Sequence, residues 1–145
     1  ELRQISEQFY RNQCAAVSQR TFLFNDTIYN NIVYGISDVT PAHYEQAIRL
    51  SGLDKVLRLL PDKERTIIGE NGATLSGGEK QKISIARALL KNANVIILDE
   101  PSNNLDKKSL YEIKCVLEKI SHEKMVIVID HNDIFEAVAS LIINL

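Results

Sequence analysis

Two continuous apolar runs constrain the fold of this 145-residue chain more than any other feature. They are "VIIL" at 95–98 and "MVIVI" at 125–129, and acidic residues follow each of them. Short runs of this kind, rich in β-branched side chains, indicate strands that are buried on both faces of a parallel sheet. Helix-like segments alternate with them along the chain, so the sequence predicts a layered α/β fold.

Charge and apolar length argue against several function classes. The 17 basic and 19 acidic side chains leave a net charge of −2, so no overall positive field indicates a nucleic-acid partner. The apolar runs are far shorter than the ~20 residues of a membrane-spanning helix, so a membrane role is expected to depend on a partner. Cys14 and Cys115 stand far apart, without metal-ligand spacing, and are expected to be buried, reduced thiols.

Cap residues and glycines predict the remaining elements of a single domain. Thr40 before Pro41 begins a helix that ends near Gly52. The predicted elements include helical stretches around 6–13, 26–35 and 54–60, a strand at 14–19, a helix from 79, a helix at 107–120 and a final strand, "SLIINL", at 140–145. The predicted division is a helical subdomain at about 26–92 and a sheet core of 14–19 plus 93–145.

The stretch "LSGGEKQ" at 75–81 places two glycines at the start of an amphipathic helix. Ser76 and Glu79 have the spacing of a capping box, which satisfies backbone N–H groups at a helix start. A cap needs neither glycine, whereas bare backbone at a helix start lets a phosphate approach the N–H groups and the positive end of the helix dipole. Both interpretations, a plain cap and an anion site, stay open on this stretch alone.

A second constellation lies at the strand ends. Asp99 and Glu100 follow one apolar run, and His131 follows the other. In parallel α/β sheets, ligands bind beyond the carboxyl ends of the strands. Adjacent carboxylates there suit a site in which the first holds Mg²⁺ and the second orients and deprotonates a water. A solvated strand end followed by a proline turn is the alternative interpretation.

Taken in order, these stretches resemble the nucleotide-binding domain of an ATP-binding cassette (ABC) transporter. "LSGGE" resembles the signature sequence, "VIILDE" the Walker B strand, "PSNNLD" the D-loop, His131 the switch histidine and Gln19 the Q-loop glutamine. The resemblance covers essentially all of 1–145, from the Q-loop to just past the switch histidine. It implies a P-loop NTPase-like (RecA-like) fold with an inserted helical subdomain, and a site for ATP and Mg²⁺.

The resemblance also implies roles for individual residues. Glu100 is expected to be the general base and His131 to contact the γ-phosphate, while Asp99 and Gln19 are expected at the metal. The chain is expected to form a head-to-tail dimer with a second ABC ATPase domain, and its signature residues are expected to meet the ATP that this second domain holds. The residues expected to contact nucleotide are Gln19, Ser76, Gly77, Gly78, Glu79 and Asp106.

Three departures from the family pattern bear on these expectations. Glu79 stands where glutamine is frequent, and a carboxylate near phosphates is expected to turn into its own cap. Asn103 and Asn104 replace a frequent Ser-Ala pair. No G-x-x-x-x-G-K-[ST] occurs, so the chain is expected to be a fragment truncated at the N-terminus, inactive alone. In such a fragment, 125–130 is expected to pair with "SLIINL" or with a second molecule.

An exporter is the favoured branch of the family. "TIIGENG" at 66–72 resembles the X-loop of exporters, in which Glu70 is expected to meet the transmembrane domain at the cytoplasmic face of a membrane. The Q-loop region is expected to contact the same domain. A soluble ABC ATPase acting in translation or repair, and a non-hydrolysing dimerisation module, remain the alternatives. His43 and His122 are assigned no role.

Overall fold

A computed structural model describes residues 6–143 of the chain. In this part the strands are β1 (Cys14–Val17), β2 (Val95–Asp99) and β3 (Met125–Ile129). The helices are α1 (Glu7–Gln13), α2 (Ile28–Val33), α3 (Pro41–Leu50), α4 (Leu53–Leu57), α5 (Gly77–Leu90) and α6 (Lys107–Ser121). Short 3₁₀ turns lie at Lys63–Arg65, Glu70–Gly72 and Asp133–Val138. The predicted α/β class and most of the predicted elements are confirmed.

The three strands form one parallel sheet in the order β1-β2-β3. Val17 lies opposite Leu98, and Leu98 lies opposite Val128. Parallel neighbours need long crossover connections, and here α2 to α5 connect β1 to β2 while α6 connects β2 to β3. All three carboxyl ends therefore meet at one edge, which we call the carboxyl edge.

Within residues 6–143, helices cover one face of the sheet. Helix α5 packs against β1 and α6 packs against β3, and alternate strand residues are buried; these are Ala15, Val17, Ile96 and Leu98. The residues between them face the other way, and Met125, Ile127 and Ile129 are exposed. The expectation that "MVIVI" is buried on both faces is wrong, because no described element covers the second face of β3.

The predicted final strand is also wrong in its described part. Residues 140–143 form no strand, and β3 pairs with β2 alone among the described residues; residues 144 and 145 lie outside the described part. The 3₁₀ turn Asp133–Val138 packs against α6 and buries Phe135 there. This contact directs the chain toward α6 and away from the open edge of β3.

The helix boundaries follow from the caps that the sequence predicts. Thr40 accepts a hydrogen bond from the backbone N–H of His43 at 3.3 Å, with Pro41 in the first turn of α3. Gly52 takes the left-handed conformation (φ 70°) between α3 and α4, which glycine adopts without a steric penalty.

Cys14 and Cys115 are free thiols but half-buried, whereas burial was expected.

One ion pair joins the two helices that cover the sheet. Lys82 of α5 has a side chain only 8% exposed, and its Nζ donates to the carboxylate of Glu112 on α6. The Glu112 side chain is a third exposed, and the hydrogen bond from Lys82 lowers the pKa of its carboxyl. The pair fixes α5 against α6 near the middle of both helices.

Candidate functional site

The parallel register places the predicted catalytic residues at one level of the carboxyl edge. Val17, Leu98 and Val128 lie side by side, and Gln19, Glu100 and Asp130 each come two residues later. The backbone N–H of Glu100 donates to the carbonyl of Ile129 at 2.7 Å, which continues the β2–β3 ladder by one step. The sheet therefore brings Gln19, Glu100 and Asp130 to one level, and His131 follows one residue later.

Glu100 is the point at which the side chains of this edge converge. The amide of Gln19 donates to Glu100 Oε2, and the Nδ2 of Asn103 donates to the same oxygen at 3.3 Å. His131 Nε2 lies 3.6 Å from Glu100 Oε1. The Glu100 side chain is 31% exposed and that of His131 is 93% exposed. A carboxylate in this position can accept a proton from a water on its solvent side.

The backbone of Glu100 is strained. Its φ is +46°, in the left-handed region where a residue with a Cβ is disfavoured. Non-glycine residues held there cost about 1–3 kcal/mol and cluster at functional sites. The chain turns in this conformation after β2, and the Glu100 side chain contacts Gln19 and His131 along the edge.

Asp99 offers a carboxylate beside this cluster. It is the last residue of β2 and is exposed. Among the described residues no group of three or more His, Cys, Asp or Glu side chains could hold a metal ion. Mg²⁺ needs no such protein cage, since one or two protein ligands with phosphate oxygens and waters complete its shell. Asp99 and the amide oxygen of Gln19 fit that donor set.

Asp130 is a site residue that sequence reasoning missed. Its carboxylate accepts hydrogen bonds from the backbone N–H of Ser102 at 2.8 Å, from Ser102 Oγ at 2.6 Å and from the backbone N–H of Asn132 at 2.8 Å. It therefore ties the loop after β2 to the loop that carries His131. An acidic residue directly before His131 was the only local signal for it.

The start of α5 has the capping box that the sequence predicts. Ser76 Oγ accepts from the backbone N–H of Glu79 at 3.4 Å, and Glu79 Oε2 accepts from the backbone N–H of Ser76 at 2.8 Å. The expectation that Glu79 turns into its own cap is confirmed. The N–H groups of the first helical turn, including those of Gly77 and Gly78, have no carbonyl partners within the helix.

The two glycines also allow α5 to pack closely against the start of α6. A Cβ on Gly78 would lie 2.7 Å from Ser109 Oγ and 2.8 Å from Ser109 Cβ. A Cβ on Gly77 would lie 3.0 Å from the carbonyl oxygen of Asn104. The absence of side chains therefore has an intramolecular reason, which the sequence interpretations, a cap and an anion site, did not include.

Asp106 caps α6 beside these glycines. Its carboxylate accepts from the backbone N–H of Ser109 at 2.7 Å, and that bond holds the pKa of the exposed Asp106 carboxyl below its ordinary value. Ser109 thus contacts the cap of its own helix and the backbone of α5. The segment 101–105 is held between the two helix starts on one side and Asp130 on the other.

The segment after Gln19 is anchored on α2 and α5. Arg87 of α5 donates from Nε to the carbonyl of Asn31 at 2.8 Å and from NH1 to that of Phe22 at 3.3 Å. A groove of about 400 Å³ opens beside it, with Arg20, Phe22 and Tyr34 in its wall. Phe22 and Tyr34 are 62% and 60% exposed, so the groove presents aromatic and cationic side chains to solvent.

Glu70 is exposed and begins the 3₁₀ turn Glu70–Gly72. An isolated antiparallel bridge between Thr27 and Ile67 joins the segment before this turn to the segment before α2.

His43 and His122 are exposed, the former on α3 and the latter after α6. Nothing within residues 6–143 is a helix with the length and apolar content for crossing a membrane.

Comparison with known proteins gives the chain relatives among ABC proteins. It is 42% identical over 130 residues to the ATP-dependent lipid A-core flippase of Legionella pneumophila, and 41% identical over 131 residues to the human ATP-binding cassette sub-family B member 5. Each alignment covers 90% of this chain, but only 22% of the flippase and 10% of the human protein. The chain thus spans about a fifth or less of the length of these relatives.

A solved structure and a family model agree with these relatives. The structure of a bacterial Atm1-family ABC exporter with ATP bound superposes with a TM-score of 0.78 and 32% identity, over 88% of this chain and 23% of that one. The fold is therefore the P-loop NTPase-like fold that the sequence predicts. The family model described as "ABC transporter" matches residues 1–103. With most of its length matched by that model and with Gln19, Glu100 and His131 together at one edge of the sheet, the chain belongs to the ABC transporter family.

Proposed function

We propose that this chain is part of the ATP-binding and ATP-hydrolysing domain of an ABC exporter, in which ATP-driven dimerisation is coupled to export across a membrane. The observation that carries the proposal is the convergence of Gln19 and His131 on Glu100 at the carboxyl edge. Three residues from distant parts of the sequence meet there around one strained carboxylate, which a merely solvated strand end does not require.

In this proposal Glu100 is the general base. It orients a water for attack on the γ-phosphorus of ATP and accepts its proton, and the bond from the γ-phosphorus to the bridging oxygen breaks so that ADP leaves. A carboxylate held by two hydrogen-bond donors keeps a fixed direction while its second oxygen stays available. His131, nearly fully exposed beside it, contacts the γ-phosphate. Gln19, whose amide nitrogen donates to Glu100, would keep its amide oxygen for the metal.

Asp99 and Gln19 are the residues that would hold Mg²⁺. When bound, the ion would neutralise part of the charge of the phosphate groups. The protein positions the two carboxylates: β2 holds Asp99 next to Glu100, so that one strand end would present a metal ligand and a base to the same phosphate.

The start of α5 is proposed to meet nucleotide held by a second ABC ATPase domain. The N–H groups of Gly77 and Gly78, which have no carbonyl partners within the helix, and the helix dipole favour an anion there. Glu79 is turned into the capping box. Ser76, Gly77 and Gly78 would contact the γ-phosphate, with Glu79 supporting the cap. Asp106, which holds the start of α6 beside them, would lie at the same domain interface.

The transmembrane domain of the same transporter is proposed to contact the Q-loop side, at the cytoplasmic face of the membrane. The groove with Phe22 and Tyr34 in its wall offers exposed aromatic surface, and exposed Glu70 offers a second contact. The relatives include a lipid A-core flippase and an Atm1-family exporter.

The relatives support an exporter over the two alternatives. Each relative named above is a flippase, an exporter or a member of sub-family B, and none is named as a translation or repair ATPase. A non-hydrolysing module would not need the base and the switch histidine, and here Glu100 and His131 lie side by side.

The test is Glu100→Gln in the full-length protein that carries these residues. We expect ATP binding to remain and steady-state turnover to fall by about 10²- to 10⁴-fold, as for removal of a general base. Glu118→Gln, on the exposed side of α6, is the matched control and should hydrolyse ATP like the wild type. Turnover above about half of the wild-type rate in Glu100→Gln would remove Glu100 from the catalytic role.

A further inference from the structure

Asp130 has contacts that a strand-end residue does not need. It follows β3 directly and is half-buried, yet its two oxygens accept three hydrogen bonds, two from Ser102 and one from Asn132. Hydrogen bonds to an ionised acceptor are shorter and about twice as strong as neutral ones. The carboxylate therefore fastens two loops that have no other side-chain hydrogen bond between them in the described part of the chain.

The two loops carry the reacting groups of the proposed site. Ser102 comes two residues after Glu100, and the backbone N–H of Asn103 donates back to the Glu100 carbonyl at 3.1 Å. Asn132 comes directly after His131. A link between Ser102 and Asn132 through one carboxylate thus fixes the distance between the loop of the base and the loop of the switch histidine.

We propose that Asp130 is a positioning residue that holds His131 against Glu100 by clamping Ser102 to the loop after β3. The expected effect of Asp130 on ATP hydrolysis rests on the proposed function. Asp130 itself would contact neither nucleotide nor metal. Displacing a reacting group by about 1 Å can cost about 100-fold in rate, so a loosened His131 should slow turnover without abolishing ATP binding.

The hydrolysis test compares Asp130→Ala with Asp133→Ala in the full-length protein. Asp133 is an exposed acid three residues further on, whose side chain makes none of these bonds. We expect Asp130→Ala to lower kcat by about 10- to 100-fold, on the scale of a misplaced reacting group, with the KM for ATP changed less than twofold. Asp130→Asn keeps one acceptor oxygen and should recover part of the rate. Equal kcat values for the Asp130→Ala and Asp133→Ala proteins would overturn the proposal.

A double-mutant cycle separates the clamp from a general loss of stability. Ser102→Ala removes the Oγ bond and should lower kcat less than Asp130→Ala. The double variant should be no slower than Asp130→Ala, because both changes break the same link and linked residues are non-additive. Additive losses would mean that the two residues act separately and would overturn the clamp.

A second readout keeps this inference distinct from the proposed function. The chain has three histidines, so the ring-proton NMR signals of His131 can be followed against those of His43 and His122 in the 145-residue chain. Asp130→Ala should shift or broaden the His131 signals alone. If the wild-type protein hydrolyses no ATP, the proposed function fails, and this measurement still decides the clamp: unchanged His131 signals overturn it.

Discussion

The start of α5 and the carboxyl edge of the sheet carry two parts of one proposed site but are held in opposite ways. At α5 the contacts are backbone to backbone or through short side chains: Gly78 is buried, and a Cβ there would meet Ser109 at 2.7 Å. At the carboxyl edge, long polar side chains meet across loops, and His131 is 93% exposed.

This difference separates a preformed surface from an adjustable one. Close backbone packing leaves α5 no room to shift relative to α6, whereas the hydrogen bonds around Glu100 can be exchanged for bonds to water or phosphate at small cost. We therefore expect substitutions at the start of α5 to change folding stability most, and substitutions at the carboxyl edge to change function with little change in stability.

The largest expected effect on stability is that of Gly78→Ala. The new methyl group would overlap Ser109, and overpacking of a close contact costs about 1–3 kcal/mol of unfolding free energy, more than the helix propensity gained. Urea unfolding of the 145-residue chain measures it. In a Ser109→Gly background the nearest atom to the new Cβ is the Ser109 Cα position at 3.8 Å, so Gly78→Ala should there be neutral or stabilising.

This rescue decides why the glycines are present. If Gly78→Ala remains equally destabilising beside Ser109→Gly, packing against α6 is not its cause. If stability is restored and ATP hydrolysis by the full-length protein is not, Gly78 has a ligand role in addition to its packing role.

The next effect in size is that of the Lys82–Glu112 pair. Removing one partner of a buried pair typically costs 3–5 kcal/mol, and we expect about 1–2 kcal/mol for Glu112→Ala because Glu112 is a third exposed. Lys82→Met keeps the aliphatic stem and leaves Glu112 free to turn to solvent, so it should cost less than Glu112→Ala. If urea unfolding shows a larger loss of stability for Lys82→Met than for Glu112→Ala, burial of the Lys82 ammonium does not depend on its pairing with Glu112.

A smaller effect is expected from acid. The pKa of Glu112 lies below its ordinary value of 4.5 and that of Asp106 below 3.8. A lowered folded-state pKa stabilises the fold above the unfolded-state value, and that stabilisation is lost as the pH falls through the folded-state value. Unfolding free energy should therefore decline below about pH 4.5, and Asp106→Asn should make the decline shallower. An identical pH profile for this variant would exclude Asp106 as a contributor.

The contrast between the two regions also explains what the sequence could predict. Local signals predict the cap of Ser76 and Glu79, the helix beginning at Thr40 and the strand that ends at Asp99, because each depends on residues close in sequence. The parallel arrangement follows from apolar runs separated by helices, and it places Gln19 and His131 beside Glu100. The predicted metal and nucleotide contacts remain predictions.

The remaining features depend on contacts between residues distant in sequence. Ser109 against Gly78, Lys82 with Glu112, and Asp130 with Ser102 have no pattern that periodicity reveals. The strand prediction for 140–145 also failed for this reason, since the burial of Phe135 against α6 turns the chain away from β3. Apolar composition alone does not distinguish a strand from an extended segment beyond such a contact.

The smallest effect on stability is expected at Glu100 itself, and it is the sharpest test of the comparison. Glu100→Ala removes three polar contacts of a partly exposed side chain but keeps a Cβ at φ +46°. Glu100→Gly removes the same contacts and also the steric penalty, which is about 1–2 kcal/mol for a non-glycine residue in the left-handed region. Part of that gain is offset by the greater freedom of glycine in the unfolded chain. We expect the glycine variant to be more stable than the alanine variant by up to about 1 kcal/mol, with neither far from the wild type.

Both should lose ATP turnover in the full-length protein. A glycine variant less stable than the alanine variant would mean that the turn after β2 carries no strain, and the carboxyl edge would then lose its distinction as the region where conformation is held for function at a cost in stability.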